Sequence, residues 1–72
     1  MEAFVIKRSD ERYMFTYYIY GDENYGFGEL NQAKLFDNIY SANDYVKQLK
    51  SFYNINCQIV KVEIKELQGE NK

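Results

Sequence analysis

The chain has 72 residues and a net charge of −2, with nine Lys and Arg against eleven Asp and Glu, no His, Pro or Trp, and one Cys. This length holds one small domain, and a composition 46% apolar and 18% aromatic is that of a globular chain, not a disordered one. No apolar run approaches the ~18–20 residues of a membrane span, the start lacks the basic and apolar regions of a signal peptide, and the acidic total argues against avid binding of duplex nucleic acid or anionic membrane.

Residues 3–7 and 12–20 read as strands, rich in β-branched and aromatic side chains. The polar Arg8-Ser-Asp-Glu11 between them suits a short hairpin loop. The second run is apolar or aromatic on both sides: Tyr13, Phe15, Tyr17 and Ile19 share one face, while Met14, Thr16, Tyr18 and Tyr20 share the other. Gly21-Asp-Glu-Asn24 is a turn cluster, and Tyr25-Gly-Phe-Gly-Glu-Leu30 reads as a third, short strand weakened or bulged at its glycines. Residues 31–37 are equally compatible with extended structure and a helical turn, with Leu35 and Phe36 over the end of the core.

From Ala42 onward, apolar residues at 42, 45, 46, 49, 52 and 53 form the stripe of a helix with one buried face. Ser41 is the expected N-cap, with Asp44 completing a Ser-x-x-Asp variant of the capping box and Tyr40 set against Tyr45 as a staple. Lys47 and Lys50 suit the carboxyl end of the helix dipole, and Asn54 is the expected left-handed stop. Residues 57–67 form the last strand, with Val60, Val62 and Ile64 on a buried side and Lys61, Glu63 and Lys65 on a wet one. The expected fold is therefore α+β: a small antiparallel or mixed sheet of three to four strands with one helix packed on one face, in the order β-β-(β)-α-β. Residues 1–67 make the domain, and 68–72 form a polar tail expected to be mobile. Tyr45, Val46, Leu49 and Phe52 of the helix, with Val60, Val62 and Ile64, are the expected core.

Catalysis is hard to assemble from these residues. Without His, the commonest general base and metal ligand is missing, and nothing is present to activate Cys57 as a nucleophile. Cys57 reads as a small packed residue, and a single Cys fits a reducing cytoplasm. Asp10/Glu11 and Asp22/Glu23 are adjacent carboxylates in polar turns. Gly26-Phe-Gly28 is a fragment of a phosphate loop without its third glycine or a following Lys-Ser/Thr, and Asp22-x-Asn-x-Gly26 opens like a calcium loop but has Phe27 where the turn needs Gly. No cofactor or metal is expected, and no enzyme.

Charge and aromatic content point to contact instead. Residues 21–44 carry Asp22, Glu23, Glu29, Asp37 and Asp44 against Lys34 alone. Such an acidic segment, with Tyr25 and Phe27 among its carboxylates, is either a solubilising loop or a surface that imitates nucleic acid. Eight Tyr and five Phe exceed what one small core can enclose, so in either register of the second strand aromatic side chains remain on the helix-free face. The expected interaction residues are Tyr17, Tyr18, Tyr20, Tyr25 and Phe27, contacting a protein partner or a second copy through the sheet face or an edge strand. The alternative is single-stranded nucleic acid stacked on the same aromatics, with Lys7, Arg8, Arg12, Lys61 and Lys65 as the basic support.

Ala33-Lys-Leu-Phe36, Ser41-Ala-Asn-Asp-Tyr-Val-Lys47 and Ile59-Val-Lys-Val-Glu-Ile64 carry a resemblance that covers most of the chain. In these segments it resembles a loose class of very short accessory proteins from phages and prophages of low-GC Gram-positive bacteria. Seven Lys to two Arg also looks like AT-rich coding. The resemblance implies a small cytoplasmic protein that binds and modulates host proteins, and it carries over no catalytic residue.

Overall fold

A computed structural model describes residues 2–64. Strands β1 (Glu2–Arg8), β2 (Tyr13–Ile19) and β3 (Asp22–Gly28) follow one another, then a 3₁₀ turn at Leu30–Gln32, helix α1 (Ile39–Tyr53) and strand β4 (Cys57–Glu63). The strands form one antiparallel sheet in the order β3-β2-β1-β4, and α1 covers one of its faces. The fold is thus the expected α+β arrangement with a third full strand. The expected polar tail at 68–72 lies outside the described residues.

The sheet is two tightly paired halves joined at a narrow seam. β1 pairs with β4 from Glu2 opposite Glu63 to Arg8 opposite Cys57, and β2 pairs with β3 along its whole length. Between β1 and β2 only Lys7 and Tyr13 stand in register. The loop that joins them closes with the Arg8 carbonyl accepting from the Glu11 N–H at 2.9 Å and with Glu11 at φ 70, after which the strands diverge. The segment after the 3₁₀ turn fills the gap. The Lys34 N–H donates to the Met14 carbonyl at 2.9 Å, and Phe4 and Phe36 exchange reciprocal backbone bonds of 2.8 and 2.9 Å. Residues 33–36 are thereby extended, and Phe36 is buried while Leu35 is exposed.

Strand alternation assigns the faces. Phe4 and Ile6 of β1, Met14 of β2, Tyr25 and Phe27 of β3, and Cys57 and Ile59 of β4 face the helix and pack with Phe36, Ala42, Tyr45, Val46, Leu49 and Ile55. The opposite face carries Ala3, Val5, Tyr13, Phe15, Tyr17, Val60 and Val62, and at its centre Ala3 and Val5 are also buried. Phe15 lies across Gly26 and Gly28 of β3, where a Cβ at Gly26 would overlap its ring.

Val60 and Val62 lie on the face away from the helix and Ile59 lies beneath it, because Ile6, not Val5, stands under α1 and pairs with Ile59. The helix begins earlier than expected, capped by Asn38, whose side chain accepts from the Ser41 N–H at 2.8 Å; Ser41 is thus inside the first turn and Tyr40 is exposed instead of stapling. Asn54 does stop the helix in the left-handed conformation at φ 57, and the Ile55 N–H reaches back to the Leu49 carbonyl at 3.1 Å. That reversal brings Ile55 onto the core and leaves Phe52 outside it, 73% exposed.

Leu49 is 1% exposed and central to the cluster, so Leu49→Ala is expected to cost about 2–5 kcal/mol in chemical denaturation. Phe52→Ala is expected to cost under about 1 kcal/mol, since little of that ring is removed from water. Equal losses from the two substitutions would contradict the packing.

Candidate functional site

Of the thirteen aromatic residues, Phe36 alone is fully buried, and Tyr17, Tyr18, Tyr20, Tyr40, Phe52 and Tyr53 are exposed. Four consecutive exposed apolar or aromatic residues, Tyr17 to Tyr20, occupy the end of the β2–β3 hairpin. The hairpin closes between Ile19 and Asp22 through a two-residue turn, Tyr20 at φ 52 and Gly21 at φ 86. Positive φ at both central positions is the signature of a type I′ turn, whose handedness matches the twist of the strands. Gly21 adopts it without strain; a tyrosine in that region does so at a cost that Asn or Gly would avoid.

The tip is tied to the helix through a single carboxylate. Glu23 stands opposite Tyr18 on the helix side of the hairpin and accepts from the Tyr18 hydroxyl at 3.3 Å and from the Tyr45 hydroxyl at 2.9 Å. Burial, then the hydrogen bond to Glu23 and its negative charge, push the Tyr45 phenol up to about 12. Beside this clamp, Tyr25 packs edge-on against Tyr45 and Tyr53, with centroids 5.8 and 6.1 Å apart, and donates to Gln48 at 3.1 Å. Burial and the Glu23 charge raise the Tyr25 phenol too.

The five expected interaction residues therefore divide. Tyr17, Tyr18 and Tyr20 come together at the hairpin tip, with Tyr18 67% exposed and Tyr20 fully so. Tyr25 and Phe27 do not join them: both are half-buried on β3 against the helix cluster, and the Arg8 guanidinium sits 4.2 Å above the Phe27 ring. The acidic segment is likewise dispersed, because Asp22 and Glu23 belong to a strand and Glu29 precedes the 3₁₀ turn. The polar run Asp22-Glu-Asn24 imitates a turn, whereas the true turn is marked by the Tyr20-Gly21 dipeptide ahead of it. Ile19 and the Glu23 clamp escape sequence reasoning, the latter because it joins residues 22 positions apart.

Cations offer little free surface elsewhere on the sheet. Arg8 makes paired bonds of 2.9 and 2.7 Å to Asp10, which hold that carboxyl below its ordinary range; Lys7 is 3.6 Å from Glu11, and Arg12 is 3.9 Å from Glu29. Lys61 lies 3.7 Å from Glu2, and Lys65 falls outside the described residues. Cys57 is half-buried beside a shallow cleft of about 290 Å³, and burial pushes its thiol up, against reactivity. Among the described residues, no group of three His, Cys, Asp or Glu side chains is placed to hold a metal, and no helix is long and apolar enough to cross a membrane. No protein-family model, curated protein or solved structure matches this chain.

The clamp has a pH consequence with a definite sign. An unfolded chain releases the Tyr45 proton near the ordinary value of 10, while the folded chain holds it to about 12. The resulting stabilisation is whole below pH 10 and is lost as pH rises from there to about 12. Glu23→Gln removes the charge and is expected to bring the Tyr45 phenol down toward its ordinary value, read from the carbon-13 shift of its Cζ. An unmoved titration would show that the clamp does not form.

Proposed function

We propose that the chain is a non-enzymatic binding module that contacts a protein partner through the β2–β3 hairpin tip, with Tyr17, Tyr18, Ile19 and Tyr20 as anchors. The observation that carries this reading is Tyr20. The most exposed ring in the chain occupies a left-handed turn position that Asn or Gly would fill with less strain. Folding gains nothing from a tyrosine there, and a contact does, since tyrosine brings large area, a polar end and few rotatable bonds. The Glu23 clamp holds the neighbouring Tyr18 before any partner arrives, which lowers the ordering cost of association.

The surroundings indicate the partner's chemistry. Asp22 and Glu23 stand beside the rings, opposite Ile19 and Tyr18, so the complementary surface is an apolar depression rimmed by Lys or Arg. The same carboxylates oppose a nucleic-acid backbone, and Lys7, Arg8, Arg12 and Lys61 are all engaged in ion pairs. These features weigh against the single-strand reading. We place this activity in the cytoplasm and assign the host-modulating role implied by the phage resemblance to the same tip.

Tagged wild-type chain and the Tyr18→Ala/Tyr20→Ala variant, exposed to lysate of the encoding cell, test the reading. The variant is expected to keep the wild-type melting temperature within a few degrees and to lose a protein that the wild type retains. Tyr20→Asn alone is expected to raise stability by roughly 0.5–1 kcal/mol while weakening capture. Unfolding of the double variant would return those rings to the core, and salt-sensitive retardation of a labelled single-stranded oligonucleotide by the wild type would favour nucleic acid.

A further inference from the structure

Strand β4 is an edge of the sheet, and among the described residues no strand lies on its outer side. The direction of its backbone groups follows from β1. Phe4 turns its N–H and C=O toward Phe36, and Arg8 turns its own toward the Glu11–Arg12 side of the hairpin, so by alternation Ala3, Val5 and Lys7 face β4. Their partners Val62, Val60 and Gln58 complete that ladder, which leaves the N–H and C=O groups of Ile59, Lys61 and Glu63 pointing outward. Edge strands with such an open row are templates for another strand unless something repels it.

Charge decides which strand fits. Lys61 and Glu63 project on the helix side, while Val60 and Val62 project on the other. Antiparallel pairing of β4 with a second β4 must set outward-bonding residues opposite one another. Centring the two-fold axis on Lys61 would oppose two lysines, and centring it on Glu63 would oppose two glutamates. Centring it on Val62 sets Lys61 of each chain opposite Glu63 of the other, with Val62 against Val62 and Val60 against Ile64 on the far face. Within one chain, moreover, Glu63 stands directly opposite Glu2, a like-charged pair, and Lys61 is 3.7 Å from Glu2. A second copy would bring each Glu63 a lysine of its own.

We propose that the chain forms a two-fold dimer through antiparallel β4–β4 pairing centred on Val62, which extends the sheet continuously across both copies. The interface is isologous, since one strand supplies both halves. It joins the half-buried Val60, Val62 and Ile64 of each copy into one apolar strip beside Ala3 and Val5, and it pairs the outward backbone groups of Lys61 and Glu63. The hairpin tip lies at the other edge of the sheet, so a dimer would present two tips outward, and this assembly stands independently of what the tips bind.

Sedimentation equilibrium over a range of concentrations tests the assembly with the full chain. The wild type is expected to pass from monomer to dimer. Lys61→Glu and Glu63→Lys, both at exposed positions, are each expected to weaken dimerisation about tenfold or more, because two attractive cross-strand pairs become two repulsive ones. An equimolar mixture of the two variants, and the chain carrying both substitutions, are expected to dimerise again. The double substitution keeps the test intact if either single variant misfolds. A wild type that stays monomeric throughout would overturn the proposal, as would single variants that dimerise as tightly as the wild type. A dimer lost in Tyr18→Ala/Tyr20→Ala but kept in Glu63→Lys would move the interface to the hairpin tip and overturn it equally.

Discussion

The reciprocal backbone pair between Phe4 and Phe36 is the constraint on which the rest of this structure depends. β1 and β2 leave their loop in register and separate almost at once, which would strand polar backbone groups of Phe4 and Met14 near the apolar core. Each such group left unpaired costs about 1–3 kcal/mol, a large share of the stability of a domain this small. The extended Lys34–Phe36 segment supplies the missing bonds. The same insertion sets the Phe36 ring among Ile6, Met14, Ala42 and Leu49, with Tyr45 5.3 Å away between ring centres. One short segment thus closes the seam in the sheet and fills the centre of the hydrophobic cluster.

The surface follows from this arrangement. Because β2 meets β1 only near its beginning, the far part of the β2–β3 hairpin has no flanking strand on the β1 side, and Tyr17 to Tyr20 have no core to enter. What holds that end is the polar clamp of Glu23 with Tyr18 and Tyr45, together with the rings of Tyr25, Tyr45 and Tyr53 packed edge to face. The tip is consequently aromatic, acidic at its margin and held in place by bonds within the chain. Its neighbours in the sheet carry the load of folding, so the exposed residues at the tip can change with little effect on the core.

Much of this was readable from the order of residues, for physical reasons. The stripe of Ala42, Tyr45, Val46 and Leu49 could belong only to a helix with one buried face, and Asn54 could adopt the left-handed stop. The surplus of rings also foretold exposed Tyr17, Tyr18 and Tyr20. Alternation in β4, however, says which residues share a face and not which face meets the helix. Both faces of β1 are buried, so Val60 and Val62 found apolar company away from α1. The N-cap shifted to Asn38 because either side chain can accept from a helix N–H three residues on, and only the path out of Phe36 selects between them. Tyr25 and Phe27 do lie on the expected third strand, but the carboxylates around them suggest an exposed acidic surface when they in fact pack against the helix cluster. Their actual cover, Gln48, Tyr53 and Arg8, lies far away in sequence.

Native-state hydrogen exchange is the most direct test of the seam. The amides of Phe4, Phe36 and Lys34 should exchange only through global unfolding, as slowly as those in the middle of β1, while amides at the Tyr20–Gly21 turn exchange fast. Amides of Phe4 and Phe36 that exchange as fast as the turn, with β1 and β4 still protected, would contradict the account.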